Sequence, residues 1–237
     1  MTIEAIALLA ISVCVGAFLQ GTVGVGFAML VAPIAALVEP SLVPVAILIW
    51  MLPLNALVAW RERRHIDLRG AGWITVARVL ATPLGIWLLL LIPENHLGYL
   101  IGGTTILAAL VSFAAPSFTP RPAAFLAAGA VTALSETATG VGGPPLALVY
   151  QHRPAAELRA TVALCFLIGE VISLIALALG GQFGGSGTNL ALWLLPAVIV
   201  GVWTSSVTHK RVGGAALRYG ILLFALASGI AVIIGTL

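Results

Sequence analysis

The sequence predicts an all-α integral membrane protein made of two homologous, inverted halves. Each half is a broken, re-entrant helical segment followed by three transmembrane helices. Three observations predict it. The 237 residues are 61% hydrophobic and 8% charged, with mean hydropathy +1.15, where a soluble domain carries about 25% charged residues. The apolar residues fall into runs at roughly 2–38, 42–60, 72–92, 97–115, 122–150, 160–180, 189–209 and 215–236. Features of the first half also recur in the second at a constant offset of 116 residues.

Six of the runs have the roughly 20-residue length of a spanning helix. Two do not. As single helices, run 2–38 would be ~55 Å long and run 122–150 about 43 Å, against a hydrocarbon core of ~30 Å. Each is interrupted by a glycine-rich stretch, QGTVGVGFAML at 20–30 and ETATGVGGPPL at 136–146. At the offset of 116, Gly24-Val25-Gly26 falls on Gly140-Val141-Gly142 and Leu30 on Leu146. Gly85-Ile86-Trp87 falls on Gly201-Val202-Trp203, and Leu110 and Ser112 fall on Leu226 and Ser228. Each match alone is weak in so apolar a chain. Their common, gap-free offset divides one membrane domain, residues 1–237, into repeats of about 1–115 and 116–237.

Charge orients the halves. If every run crossed once, Arg61, Arg63, Arg64, Arg69, Arg78 and Arg121 would face one side. Arg153, Arg159, Lys210, Arg211 and Arg218 would then face the other. If both broken runs are hairpins, all of these lie near one face and Glu4, Glu39 and Glu94 near the opposite one. The positive-inside rule prefers the hairpins. Each half then makes an odd number of crossings, which inverts it relative to the other, and both termini lie on the less basic, outer face. Each hairpin arm would have about 12–16 residues, or roughly 18–24 Å. Two long kinked helices are the competing reading.

Other function classes find little support. The basic residues sit at the ends of apolar runs, as orientation signals rather than a nucleic-acid surface. Cys14 and Cys165 read as small buried hydrophobes, with no disulfide or metal pattern. The first twenty residues lack a basic n-region and a cleavage site and read as mature protein. His65, His96, His152 and His209 lie near loops or run ends. HExxH, paired-carboxylate and nucleotide-binding motifs do not occur. We therefore expect no enzyme, no cofactor, no resident metal and no nucleic-acid partner.

An unwound stretch in lipid persists only where protein or a water-filled cavity covers its backbone. Inverted repeats with broken helices near the midplane are the usual plan of secondary transporters. The arm after each break begins with free N–H groups and a partial positive charge, which suits an anion. Gly24, Gly26, Gly140, Gly142 and Gly143 would let the backbone approach a ligand, and Pro144 fits the first turn of a restarted helix. Thr22, Thr137 and Thr139 offer hydroxyls. Close helix packing is the competing role for the glycines, and back-bonding to the helix that of the threonines. Glu136 is an ionisable residue deep in an apolar run, hence a functional candidate, and Gln20 is its counterpart in the first half. Glu136 would bind the anion as an acid, couple transport to protons, or only brace its hairpin. Asn55, Arg78 and Glu170 are further pathway or coupling candidates. Asn55 reads first as an interhelical hydrogen-bonding residue. Arg78, six residues into its run, reads first as snorkelling to the basic face. Glu170 needs a polar partner, with Arg78 as one candidate.

The stretch GAFLQGTVGVGFAMLVAP, its echo GAVTALSETATGVGGPPL half a chain later, and the basic loop after the second run resemble the TauE/SafE family of sulfite exporters. The resemblance covers the chain from Gly16 to the end. GVGGPPL is its most specific part. Val25-Gly26-Phe27-Ala28 departs from the glycine run that is common in the family's first motif. The resemblance implies a multi-pass transporter of the bacterial inner membrane that exports sulfite or organosulfonates. The expected function is a secondary transporter for a small anion, sulfite or an organosulfonate or organic acid. It would work by alternating access around a midplane site formed by the two breaks. Its partners would be that anion, the lipid bilayer and, as candidates, protons as coupling ion and a second copy of the chain. An anion channel or a membrane subunit of a larger complex are the alternatives.

Overall fold

In the computed structural model, which describes residues 2–93, 96–114, 120–181, 186–208 and 215–236, the chain is helical, with no strand among the described residues. The first half contains α1 (Ile3–Val23), α2 (Phe27–Val38), α3 (Val45–Arg61), α4 (Leu68–Leu91) and α5 (Leu97–Ala114). The second contains α6 (Pro122–Thr139), α7 (Gly143–Tyr150), α8 (Ala155–Leu179), α9 (Ser186–Trp193), α10 (Leu195–Thr208) and α11 (Ala215–Thr236). Glu94, Lys210 and Arg211, used above to orient the chain, and His209 lie outside the described residues.

Helix boundaries follow local chemistry. Thr2 Oγ1 accepts from Ala5 N and starts α1, and Asp67 Oδ1 accepts from Gly70 N and starts α4. Pro122 opens α6 and prolines occupy the first turn of α7, where no N–H is needed. α1 and α6 end on glycines in the left-handed region, Gly24 with φ 100° and Gly140 with φ 76°.

Each broken run folds back on itself. A Cβ on Gly16 of α1 would lie 2.8 Å from Val31 Cγ2 of α2, whereas fifteen residues of continuous helix span ~22 Å. The rings of Phe125, at the start of α6, and Tyr150, at the end of α7, have centroids 5.6 Å apart. Continuous helix would separate them by ~37 Å. Both runs are therefore helical hairpins, not kinked rods. Their arms are unequal, which corrects the expectation of about 12–16 residues each. The entering arms have 21 and 18 residues and the returning arms 12 and 8. The entering arms begin where the apolar runs begin, at Thr2 and Pro122, but each break falls past the middle of its run, so the returning arm is the shorter one.

Ile3–Val23, Leu68–Leu91, Ala155–Leu179, Thr188–Thr208 and Tyr219–Thr236 are long and apolar enough to cross a membrane. α3, with 17 residues, and Leu97–Phe113 of α5 are shorter apolar helices. On α4, Trp73, Val76, Leu80, Leu84, Trp87 and Leu91 are exposed. Their three- and four-residue spacing makes one lipid-compatible face.

The contacts interchange the halves. α1 packs on α10 as α6 packs on α4, and α2 packs on α11 as α7 packs on α5. α3 against α8 and α5 against α11 join the halves directly. The paired GxW motifs serve this arrangement. Gly85 lies against the Ala133 carbonyl of α6, and a Cβ there would be 3.0 Å from it. Gly201 lies closer still to the Cys14 carbonyl of α1. These are close approaches that only small residues permit, while Trp87 and Trp203 face outward.

Candidate functional site

Five polar side chains converge from five helices: Gln20 of α1, Asn55 of α3, Arg78 of α4, Glu136 of α6 and Glu170 of α8. Each is at most 2% exposed. They form two connected sets. In the first, Gln20 Oε1 accepts from the backbone N–H of Phe27 at 3.1 Å. Gln20 Nε2 donates to Asn55 Oδ1 at 2.9 Å, and Asn55 Nδ2 donates to Glu170 Oε1 at 2.6 Å. In the second, Arg78 Nη2 donates to Glu136 Oε1 at 2.7 Å, and Arg78 Nη1 to the Cys165 carbonyl at 3.2 Å. Glu170 lies within electrostatic range of both Arg78 and Glu136.

Three buried atoms in this cluster have no hydrogen-bond partner: Arg78 Nε, Glu136 Oε2 and Glu170 Oε2. An unsatisfied buried polar atom costs about 1–3 kcal/mol, more when charged. A cluster that leaves three of them unsatisfied is poorly explained as internal bracing.

Local sequence makes the cluster possible. Gly169 has no side chain where the Arg78 guanidinium rests, and a Cβ there would overlap Cζ, Nη2 and Nε. A Cβ on Gly142 would lie 2.5 Å from Glu136 Oε2 and 2.9 Å from Thr132 Cγ2. Thr132 Oγ1 donates to the Gly142 carbonyl at 3.1 Å and pins the second break to its own entering arm.

The other sequence candidates separate into distinct roles. Thr137 is within 2.8 Å of Ser173 Oγ, a cross-helix contact between α6 and α8. Thr22 and Thr139 donate back to Phe18 O at 2.8 Å and Ser135 O at 2.7 Å, the competing role weighed for them. Thr139 also receives Val141 N at 3.3 Å and so helps close the turn. Gly24 lies against Leu158 and Arg159, Gly26 against Ile221, and Gly140 against Ile47. Gly143 of one hairpin faces Val25 of the other, its Cβ position 3.7 Å from Val25 Cβ, so the two breaks meet.

Two expectations change. Arg78 does not snorkel. It is fully buried and points at Glu136, because the missing side chain at Gly169 and the carboxylate across from it give the guanidinium an inward destination. The free N–H groups expected after the breaks are also fewer. Gln20 takes that of Phe27, and Pro144 and Pro145 have none to offer. The positive charge available to an anion is the guanidinium more than the helix ends. Gly169, Ser173, Thr132 and the Cys165 carbonyl were missed. Only Gly169 had a sequence signal, its place next to a membrane-embedded glutamate.

A second polar group lies where the first hairpin's tip meets α3, α8 and α10. Arg159 Nε donates to Glu62 Oε1 at 2.9 Å, and Arg61 Nη2 to the Gly21 carbonyl at 2.7 Å and Glu62 Oε1 at 3.1 Å. Arg61 Nη1 donates to Ser206 Oγ at 3.2 Å.

An inward-facing guanidinium with a spare donor, flanked by carboxyls and backed by glycine, can bind an oxyanion. No curated protein and no solved structure matches the chain. A family model described as sulfite exporter TauE/SafE matches residues 8–232. Matched over nearly its whole length, the chain belongs to the TauE/SafE sulfite exporter family, whose members are multi-pass membrane transporters.

Proposed function

We propose that this member is a secondary transporter that exports a small sulfur oxyanion, sulfite or an organosulfonate, across a bacterial inner membrane by alternating access. The substrate sits between the two helix breaks, on Arg78, with Glu170, Asn55 and Gln20 around it and Glu136 as the carboxylate that it displaces. The second break approaches it at Gly142, which lies against Glu136 Oε2. The observation that carries this reading is Arg78: a fully buried guanidinium with an unpartnered Nε, in a cluster where Glu136 and Glu170 each also keep one unpartnered oxygen. A charge in that position is costly and is held in membrane proteins chiefly for a pathway or a ligand.

The chain works as one domain of two inverted repeats, about 1–115 and 116–237. Each hairpin returns to its own side and three helices follow it, so the halves enter from opposite faces. The exchanged contacts between halves support this, as does the meeting of the two breaks at Val25 and Gly143. Rocking one hairpin against its partner helices would open the site to one face at a time.

The test is flux from proteoliposomes loaded with labelled sulfite, a sulfonate or a carboxylate. Efflux of the sulfur anions above empty liposomes, abolished in Arg78→Gln, supports the reading. No anion flux in the wild type overturns it.

A further inference from the structure

We propose that Glu136 is a tethered substitute for the substrate. It occupies Arg78 in the empty protein and leaves it only on taking a proton, so that one proton travels with each anion. The inference rests on the anion-transporter reading above and adds its coupling.

Geometry supplies the competition. Glu136 holds Arg78 through one oxygen only, Oε1 on Nη2 at 2.7 Å. Its Oε2 and the Arg78 Nε have no partners. Nη1 is committed to the Cys165 carbonyl. A sulfonate or sulfite binding side-on would use Nε and Nη2 together, and Nη2 is the atom that Glu136 occupies. Anion and carboxylate cannot both have it. Glu136 Oε2 lies against Gly142, where only a residue without a side chain fits, so withdrawal from Arg78 takes the carboxyl toward the backbone of the second break.

Charge supplies the coupling. The groups facing Glu136 are Arg78 from α4, Glu170 and Cys165 from α8, Thr132 of its own helix, and Gly142 of the break. One guanidinium and two carboxyls are electrically neutral when the carboxyls share a single proton. Adding an anion makes the cluster negative unless a second proton enters, and net charge buried in an apolar interior is strongly disfavoured. The carboxylate released from Arg78 is the site at which that proton binds. It arrives from the side where the anion enters and leaves where the anion is released, as Glu136 returns to Nη2. Anion and proton binding are thus reciprocally linked. The loaded and the empty forms are both neutral, so both can reorient.

Glutamine is isosteric with the protonated carboxyl. Glu136→Gln should therefore resemble the loaded form when anion is bound, but leave Arg78 without a counter-charge when empty. The variant reorients loaded and stalls empty.

The experiment uses the full chain in liposomes with labelled methanesulfonate. This probe is a strong acid, so any proton that moves belongs to the protein. The wild type should acidify the lumen by about one proton per sulfonate taken up, with affinity falling about tenfold per pH unit above the titration of Glu136. Glu136→Gln should keep sulfonate-for-sulfonate exchange while net uptake falls at least about tenfold, and its binding should lose pH dependence. Equal loss of exchange and net uptake in the variant, together with proton-free sulfonate uptake by the wild type, overturns the proposal. So does a variant with normal net uptake. Should the variant fail to fold, the wild-type proton count decides, and zero protons overturns it. A wild type that carries neither sulfonate nor sulfite in either mode overturns the transporter reading itself, an outcome distinct from uncoupled transport.

Discussion

Gln20 and Glu136 occupy equivalent places in the two hairpins, each four residues before the left-handed glycine that ends its helix. Each accepts that glycine's N–H at its backbone carbonyl, at 2.7 Å in both cases. Their side chains then diverge. Gln20 reaches across its own break to Phe27 N and sideways to Asn55. Glu136 makes no bond to its break and pairs with Arg78 instead. One hairpin is closed by its polar side chain, and the other lends that side chain to the cluster.

Gln20→Leu should therefore act mainly on stability. It strips partners from a buried N–H and a buried amide oxygen, at about 1–3 kcal/mol each, and the first break loses its clasp. Thermal unfolding in detergent, followed by tryptophan fluorescence, should show a clear fall in Tm. An unchanged Tm would mean that the first break is held by packing alone.

Gly169→Ala should abolish transport, because its Cβ would occupy the place of the Arg78 guanidinium. Displacing a buried ion pair from its seat costs about 3–5 kcal/mol when one partner is left alone. Gly103→Ala is the matched control. A Cβ there meets nothing within 4 Å, and alanine stabilises a helix by about 0.5–1 kcal/mol relative to glycine. Anion efflux normalised to folded protein distinguishes the two, and equal activity would remove Gly169 from the site.

The broken runs were legible in the sequence because each glycine cluster interrupts an apolar run too long for one spanning helix. Hydrophobicity does not tell a returning arm from a crossing one. That distinction came from Gly16 against Val31 and from Phe125 against Tyr150. The polar candidates were also legible, since Gln20, Asn55, Arg78, Glu136 and Glu170 stand out against an apolar background. Their pairing was not. Arg78 and Glu136 lie on different helices with no shared periodicity. Whether an arginine turns inward depends on a gap in a third helix, at Gly169, that a linear reading has no means of aligning with it.

If both hairpins re-enter, and α3, α4, α5, α8, the Thr188–Thr208 segment and α11 each cross once, both termini should lie on the same, less basic side. A reporter active only outside the cytoplasm, fused after Leu237, should be active, and a fluorescent reporter that folds only in the cytoplasm should be dark. The opposite pattern would mean that the hairpin sides, and with them the orientation drawn from the arginines, are reversed.

Glu62 should control access to the first break from the basic side. It receives Arg159 Nε at 2.9 and 3.2 Å and Arg61 Nη2 at 3.1 Å. Arg61 in turn holds the Gly21 carbonyl of α1 at 2.7 Å. This ties the end of α3, the start of α8 and the tip of the hairpin together. Any movement that opens the site toward this face has to separate them. Glu62→Gln removes the charge that gathers the two arginines, and about 1.4 kcal/mol of bias toward the open form multiplies its population about tenfold. A cysteine at Thr22, buried beside the tip, reports the opening once Cys14 and Cys165 are replaced. An impermeant thiol reagent added from the basic side should label it about tenfold faster in the Glu62→Gln background. Equal labelling rates would show that the three residues brace the fold without gating it.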